Sequence, residues 1–388
     1  MSSPAVPVDA GPRTDPDAGR WVDKASTPVL GSPSRLKLGV FSANMAGGAN
    51  LTRSPAALRL TWPESREVAR LADAAGFEAM IPVARWRGMG RPEERAGHRS
   101  FDTFTWAAAV AAVTERIQVF ATFHVPVLHP VAAAKQIATV DHVSGGRFAL
   151  NIVAGWNEDE FRMFGIEQRP HEDRYAVAGE WVEFLERIWA AEEEFDFHGR
   201  HLSGTHVLSE PRPLQRPGPV VMNAGFSPSG QAFAARHADV TFALVPSVAA
   251  AAGAVARIKQ LAADHGRELR VFTAAHVVCA DTDAEARRRF DAMVQEHGDW
   301  DAARNALRLL APNSASADFD QGMAASAIAG FFALPLVGSA VTVARGMAEL
   351  ADAGLDGLAL SWLDYGEGLQ QYRDELLPLL VRDGVRAG

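Results

Sequence analysis

The sequence predicts a (β/α)8 (TIM) barrel with insertions, and three observations predict it. Short β-rich runs alternate with longer amphipathic helical patterns from Leu36 onward, an order that implies βα units around a parallel sheet. The alternation repeats every ~35 to 40 residues, a period typical of βα barrels. Eight such units fit the chain, and no G-x-G-x-x-G follows the first strand, which disfavours the alternative of an open doubly wound sheet.

The first strand is read in LKLGVFS, and the helix after it, TWPESREVARLADAAG, has both ends marked. Thr61 and Glu64 form a capping box, Pro63 sits in the first turn and Gly76 is a C-terminal stop. FEAMIPVA is the second strand and DTFTWAAAVAAVTE its helix. IQVFATFHV is the third, followed by HPVAAAKQIATVDHVS, in which His129 is expected to cap the helix that begins at Pro130. RFALNIVAG is the fourth strand and YAVAGEWVEFLERIWA the helix beyond it. An excursion of short strands near 191–217 precedes GPVVMNAG, DVTFALV and LRVFTAAHVV, strands five to seven. The stretch 282–337 holds a charged helix and a small-residue segment that fits no single period, and it reads as a second insertion. LDGLALSWL closes the count at eight. Residues 1–35 are rich in Pro, Ser, Asp and Gly, without the basic start and apolar core of a signal peptide. They read as a flexible extension on a cytoplasmic protein whose barrel occupies 36–388.

Composition excludes several function classes. With 48% hydrophobic residues and 22% charged ones, there is ample material for a core. No apolar run reaches the roughly 20 residues of a membrane helix. A formal charge of −9 argues against nucleic-acid or anionic-membrane partners, which need clustered Lys and Arg. The single cysteine, Cys279, permits neither an intrachain disulfide nor a Cys-based zinc site, and reads as a buried, inert thiol.

In a barrel of this kind, function gathers where strands end and loops begin. Thr122 and His124 end the third strand, Asn151 and Trp156 flank the end of the fourth, and Gly225-Phe226-Ser227 follow the fifth. Each also has a plain structural reading, because strand ends need polar groups to satisfy turns. In GWNEDEF, Asn157 and Glu160 have the spacing of a capping box, and Glu158 and Asp159 suit the positive end of the helix dipole. Asn151 has no such explanation: its amide inside an apolar strand is costly to bury without a partner. NAGFSPSG spaces Gly225, Ser227 and Gly230 so that N–H groups and a hydroxyl could hold a phosphate at a helix N-terminus. Arg174-Tyr175 could add a cation and a hydroxyl, although an Arg opening a helix is most often solvated. The histidines at 124, 129, 142 and 171 lack metal-binding spacing, so no metal is expected.

The segments RWRGMG, SFDTFTWAAAVAAVTERIQVFAT, AAAKQIATVDHVSGGRFALNIVAGWNEDEFRMFG, DRYAVAGEWVEFLERIWA, NAGFSPSGQAFAARHADVTF and GLALSWLDYGEGLQQY resemble the bacterial-luciferase-like flavin monooxygenases, in the branch of the pyrimidine and sulfone monooxygenases. The resemblance spans about Leu36 to Leu380. It implies a barrel that takes reduced FMN from a separate NAD(P)H:flavin reductase, uses dioxygen, and assembles as a homodimer or homotetramer. By residue comparison it implies that Ala84 and Arg85 line the flavin, that Asn151 and Glu160 contact it, that Arg174 and Tyr175 sit near the ribityl phosphate, and that Ser227, in its Gly225 turn, holds that phosphate. The oxygen pocket is then Ile81, Thr122, Asn151, Val153 and Trp156, with Ile81 standing where Leu is common in the branch. Asn151 and the Thr122 hydroxyl would donate to a developing oxygen anion, and the apolar members would exclude water. The same resemblance implies oxygen carried as a nucleophilic peroxide on flavin N5, and electrophilic substrates: a pyrimidine or amide carbonyl, a carbon bearing a sulfone, or a halogenated carbon. The competing readings are a deazaflavin-dependent oxidoreductase on the same fold, a metal-dependent barrel hydrolase, and a non-catalytic flavin-binding protein.

Overall fold

The computed structural model describes residues 17, 19–91, 98–245, 247–310 and 321–388. The start of the expected extension and residues 311–320 of the second expected insertion lie outside them.

All eight predicted strands form, and they close into one parallel ring. They are β1 (Lys37–Phe41), β2 (Ala79–Ile81), β3 (Gln118–His124), β4 (Phe148–Val153), β5 (Val220–Asn223), β6 (Val240–Phe242), β7 (Arg270–Cys279) and β8 (Gly357–Ser361). Each pairs with the next, and β8 returns to β1 with Gly357 opposite Lys37. The helices alternate with them on the outside: α1 (Trp62–Ala74), α2 (Thr103–Ala111), α3 (Pro130–Ser144), α4 (Glu158–Met163), α5 (His171–Ala190), α6 (Pro228–His237) and α7 (Val248–Ala263). Between β7 and β8 run α8 (Asp283–Asp291), α9 (Trp300–Leu310), α10 (Gln321–Gly330) and α11 (Ala340–Asp352).

Local sequence explains the helix starts. The Thr61–Glu64 capping box is present in both directions at α1, and His129 accepts from the Val131 N–H at the head of α3. Along the strands, alternate residues face opposite sides. Ala79, Ile81, Phe120, Ala149, Val220, Met222, Val240, Phe272 and Ala359 pack inside the ring, and the residues between them meet the helices.

Two expectations are corrected. Residues 19–35 are not loose. Val22–Asp23 pairs in parallel with Gln215–Arg216, and the turn Pro28–Gly31 inserts Val29 into the interior cluster, where its N–H donates to Gln118. Burying a valine fully is worth about 1.5 to 3 kcal/mol, so one residue in a Pro- and Ser-rich stretch plugs the lower end of the barrel. The second correction lies within 282–337: Leu334–Gly338 is a strand that extends the main sheet on β7, with Ala275 opposite Leu334. Its Pro335 is exposed, as a proline on an edge strand should be.

Candidate active site

The inward alternation brings Ile81, Thr122, His124, Asn151 and Val153 to the C-terminal rim of the ring. Thr122 stands opposite Asn151 and His124 opposite Val153 in the β3–β4 register. The Thr122 hydroxyl donates to the Pro82 carbonyl at 2.5 Å and accepts from Asn151 Nδ2 at 3.1 Å. This fixes the amide's orientation, because a hydroxyl whose proton is committed to Pro82 needs a donor on its other side. Asn151 Oδ1 is buried with no partner among the described residues. The expectation that Thr122 itself is a free donor is therefore corrected: its one proton is already placed.

Glu160 corrects the capping-box reading. Asn157 begins α4 without a side-chain cap, and Glu160 turns away from it to accept the N–H groups of Trp86 at 2.9 Å and Arg87 at 3.1 Å. The loop after β2 is held elsewhere too. Asn44 both donates to and accepts from Val83, and Ser100 donates to the Arg85 carbonyl. This loop carries the buried Ala84 and directs the Arg85 side chain to within 3.9 Å of Glu160.

Burial raises the Glu160 carboxyl above its ordinary range, with Arg85 and the two N–H groups opposing. His124 lies among Trp86, Phe161 and Glu160. Burial, then the Arg85 charge, lowers it to about 3. It is thus neutral, and its 3.9 Å approach to Glu160 is not an ion pair. His124 Nδ1 and Glu160 Oε2 are both buried without hydrogen-bond partners among the described residues.

At the head of α6, Ser227 caps the helix by accepting from Gly230 N at 3.2 Å, and His171 Nε2 lies 3.0 Å from its hydroxyl. His171 Nδ1 meets Arg174 at 2.8 Å, and Arg174 also donates to the Gly155 carbonyl. Arg174 is therefore half-buried and tied to the end of β4, not a solvated residue. The Tyr175 hydroxyl fills the space between Gly225 and Gly230, so a Cβ at either position would collide with it. His171, Arg174, Tyr175 and Ser227 thus converge at one helix N-terminus.

Over the rim lies Trp156, its ring 6.1 Å from that of Phe331. Leu51, Met89, Ala302, Ala306 and Leu309 complete the cluster, so the segment between β7 and β8 covers this side of the mouth. Sequence reasoning missed His276, which shares the inward parity of Phe272 on β7. It is buried, its Nδ1 lies 3.1 Å from Ser361 Oγ, and burial lowers it to about 3. The alternation in VFTAAHVV was the available signal. Among the described residues no group of three or more His, Cys, Asp and Glu could hold a metal ion. The Cys279 thiol is buried and pushed up to about 11 by that burial. No helix among the described residues is long and apolar enough to cross a membrane.

The family model described as luciferase-like monooxygenase matches residues 36–357. The pyrimidine monooxygenase RutA of Bradyrhizobium sp. (strain BTAi1) is 30% identical over 369 residues, covering 90% of this chain and 99% of the relative. Among solved structures, riboflavin lyase RcaE with modified FMN and riboflavin superposes with a TM-score of 0.81 at 22% identity, over 91% of this chain and 92% of that one. DmoA from Hyphomicrobium sulfonivorans gives 0.77 at 21% identity, over 91% and 89%. At such identities the two structures speak to the fold, which is the same barrel. The family match over most of the chain, with a relative aligned nearly end to end, means that the chain belongs to the luciferase-like monooxygenases and is an enzyme of that family.

Proposed function

We propose that this chain is the oxygenating component of a two-component monooxygenase, which takes reduced FMN from a separate NAD(P)H:flavin reductase and uses dioxygen to oxygenate a small electrophilic organic substrate. The observation that carries the reading is the pairing of two features. An anion cradle at the head of α6 adjoins a barrel mouth whose buried polar atoms, Asn151 Oδ1, His124 Nδ1 and Glu160 Oε2, have no partner among the described residues. Orphaned buried polar atoms are costly, and a heteroatom-rich ring held by its phosphate is the kind of group that relieves them.

The residues fit FMN. Ser227, His171, Arg174 and Tyr175 would hold the phosphate at the positive end of the α6 dipole, and Gly225 and Gly230 keep Cβ atoms out of the cradle. Ala84 and the Arg85 backbone would line the ring, on a loop that Glu160 fixes. Bound reduced FMN supplies the electrons that activate dioxygen.

The protein's share is orientation and dryness. Thr122 sets the plane of the Asn151 amide, which leaves the second Asn151 N–H to donate to oxygen as negative charge develops there. Ile81, Val153 and Trp156 exclude water from that point. Delivery of oxygen as a nucleophile selects electrophilic carbon, as in a pyrimidine carbonyl or a sulfone; the 30%-identical relative named a pyrimidine monooxygenase agrees with the first.

A coupled assay tests this. With NADH, FMN and an unrelated flavin reductase, product from uracil or dimethyl sulfone should require both proteins, and this chain alone should not oxidise NADH. A chain that holds oxidised FMN stoichiometrically and oxidises NAD(P)H unaided would overturn the two-component reading.

A further inference from the structure

Arg85 is a largely enclosed cation whose side-chain donors meet no acceptor among the described residues. Its side chain is 8% exposed, and it makes no hydrogen bond to a described residue. The nearest carboxylate oxygen, Glu160 Oε1 at 3.9 Å, already accepts two backbone N–H groups. The guanidinium lies instead over two rings, with its carbon 5.2 Å from the centre of Trp156 and 5.7 Å from that of Phe331. Ring faces attract the charge. They do not satisfy the five N–H groups that a guanidinium presents in its own plane. A donor edge that is mostly enclosed at the mouth and meets no acceptor among the described residues is suited to a ligand oxygen.

Phe331 supplies a second, independent observation. It and Phe332 follow α10 with φ of 51° and 69°, a left-handed conformation that bulky residues rarely adopt. Strain of this kind persists where the surrounding structure demands it, commonly at ligand sites. Here it seats an aromatic ring over Arg85, at the end of the segment that covers the mouth.

The charge balance narrows the ligand. Glu160 neutralises Arg85 at close range, so the pair offers N–H donors without net positive charge. An arriving carboxylate would gain the donors and be repelled by Glu160. A neutral carbonyl or sulfonyl oxygen gains the donors alone.

We propose that the edge of Arg85, packed against the neighbouring rings of Trp156 and Phe331, binds the carbonyl or sulfonyl oxygen of a neutral substrate, and that Arg85 with Glu160 sets a preference for neutral substrates over their carboxylate-bearing counterparts. Donation to that oxygen also withdraws electron density from the carbonyl carbon, or through the sulfonyl group from the carbon that bears it, which favours attack by a nucleophile there. The inference rests on the flavin reading above and assigns the substrate side of the same site.

The test uses the full chain, saturated with FMN, and measures binding of uracil, dimethyl sulfone and orotate by calorimetry, with FMN affinity followed separately by fluorescence. The wild type should bind uracil at least tenfold more tightly than orotate, its carboxylate derivative. Arg85→Met should weaken the neutral probes at least tenfold and leave FMN affinity within threefold, with Arg85→Lys between. Phe331→Leu, which leaves Arg85 in place, should weaken the neutral probes severalfold with FMN affinity unchanged. Equal losses of FMN and probe in Arg85→Met, undiminished probe binding in either variant, or preferential binding of orotate would overturn the inference. A wild type that binds FMN but neither neutral probe also overturns it and leaves the flavin reading standing. A wild type that fails to bind FMN in either redox state overturns the flavin reading itself.

Discussion

Asn151 donates to the hydroxyl of Thr122 at 3.1 Å across two strands in register, and the hydroxyl passes its own proton to the Pro82 carbonyl. The amide is thus oriented by a neighbour, and Thr122 acts on chemistry through Asn151. Thr122→Val keeps the shape and removes both bonds, so we expect a stability loss of about 1 to 3 kcal/mol from the groups left unpaired. Product formation should fall about tenfold, with reduced-FMN affinity nearly unchanged and Thr122→Ser largely restoring the rate. Asn151→Ala, which removes the donor, should cost about 100-fold or more. Steady-state product yield and flavin titration separate the two effects. A Thr122→Val enzyme that turns over at the wild-type rate would remove the positioning role.

Ser227 stands at the N-terminus of α6 with His171 3.0 Å from its hydroxyl. If this is the phosphate cradle, Ser227→Ala should weaken FMN by about 1 to 2 kcal/mol, the worth of one hydrogen bond to a charged group. Riboflavin, which lacks the phosphate, should bind the variant as it binds the wild type. Fluorescence titration with both flavins checks this, and equal losses would place the phosphate elsewhere.

Glu160 carries two loads, the Trp86 and Arg87 N–H groups and the charge of Arg85. Glu160→Gln retains an acceptor for the loop and should cost about 1 to 2 kcal/mol of stability. Both variants leave Arg85 without its counter-charge, and Glu160→Ala also leaves the Trp86 and Arg87 N–H groups without their acceptor, so it should cost about 1 to 3 kcal/mol more. Urea unfolding of the two variants gives the comparison, and indistinguishable losses would mean that the Trp86 and Arg87 N–H groups do not depend on an acceptor at position 160.

The two buried histidines, His124 and His276, are lowered to about 3 by burial. A folded pKa below the unfolded value gives stability that is full above about pH 6.5 and is lost as the pH falls toward the folded value. Between pH 6 and 5 each histidine should therefore remove about 1 kcal/mol of stability. Burial raises the carboxyls of Glu160 and Asp141, which acts in the opposite sense, so the useful quantity is a difference. The stability of His276→Gln should depend less steeply on pH than that of the wild type over this interval, and parallel slopes would show that His276 is not held neutral.

Much of the barrel was legible because its signals are local. Strand alternation, the Thr61–Glu64 box and the His129 cap all lie within a few residues. Glu160 was not legible, because Asn-x-x-Glu reads as a capping box while its actual partners lie more than 70 residues away on another loop. Val29 was hidden by its neighbours' composition, although one apolar side chain suffices to plug a ring. Pro335 masked the strand Leu334–Gly338, since a proline in an apolar run speaks against a strand unless that strand lies at an edge. Arg85 was readable as a residue near the mouth but not as a donor packed on two rings, because Phe331 reaches it from the far side of a long insertion.

The most direct test of the account begins with the protein under anaerobic conditions, titrated with reduced FMN and then given a pulse of 18O-labelled dioxygen in the presence of uracil or dimethyl sulfone. The account predicts saturable binding of reduced FMN, followed by the appearance of one labelled oxygen atom in the product by mass spectrometry. Saturable binding with all the labelled oxygen recovered as hydrogen peroxide, and none in either substrate, would contradict it.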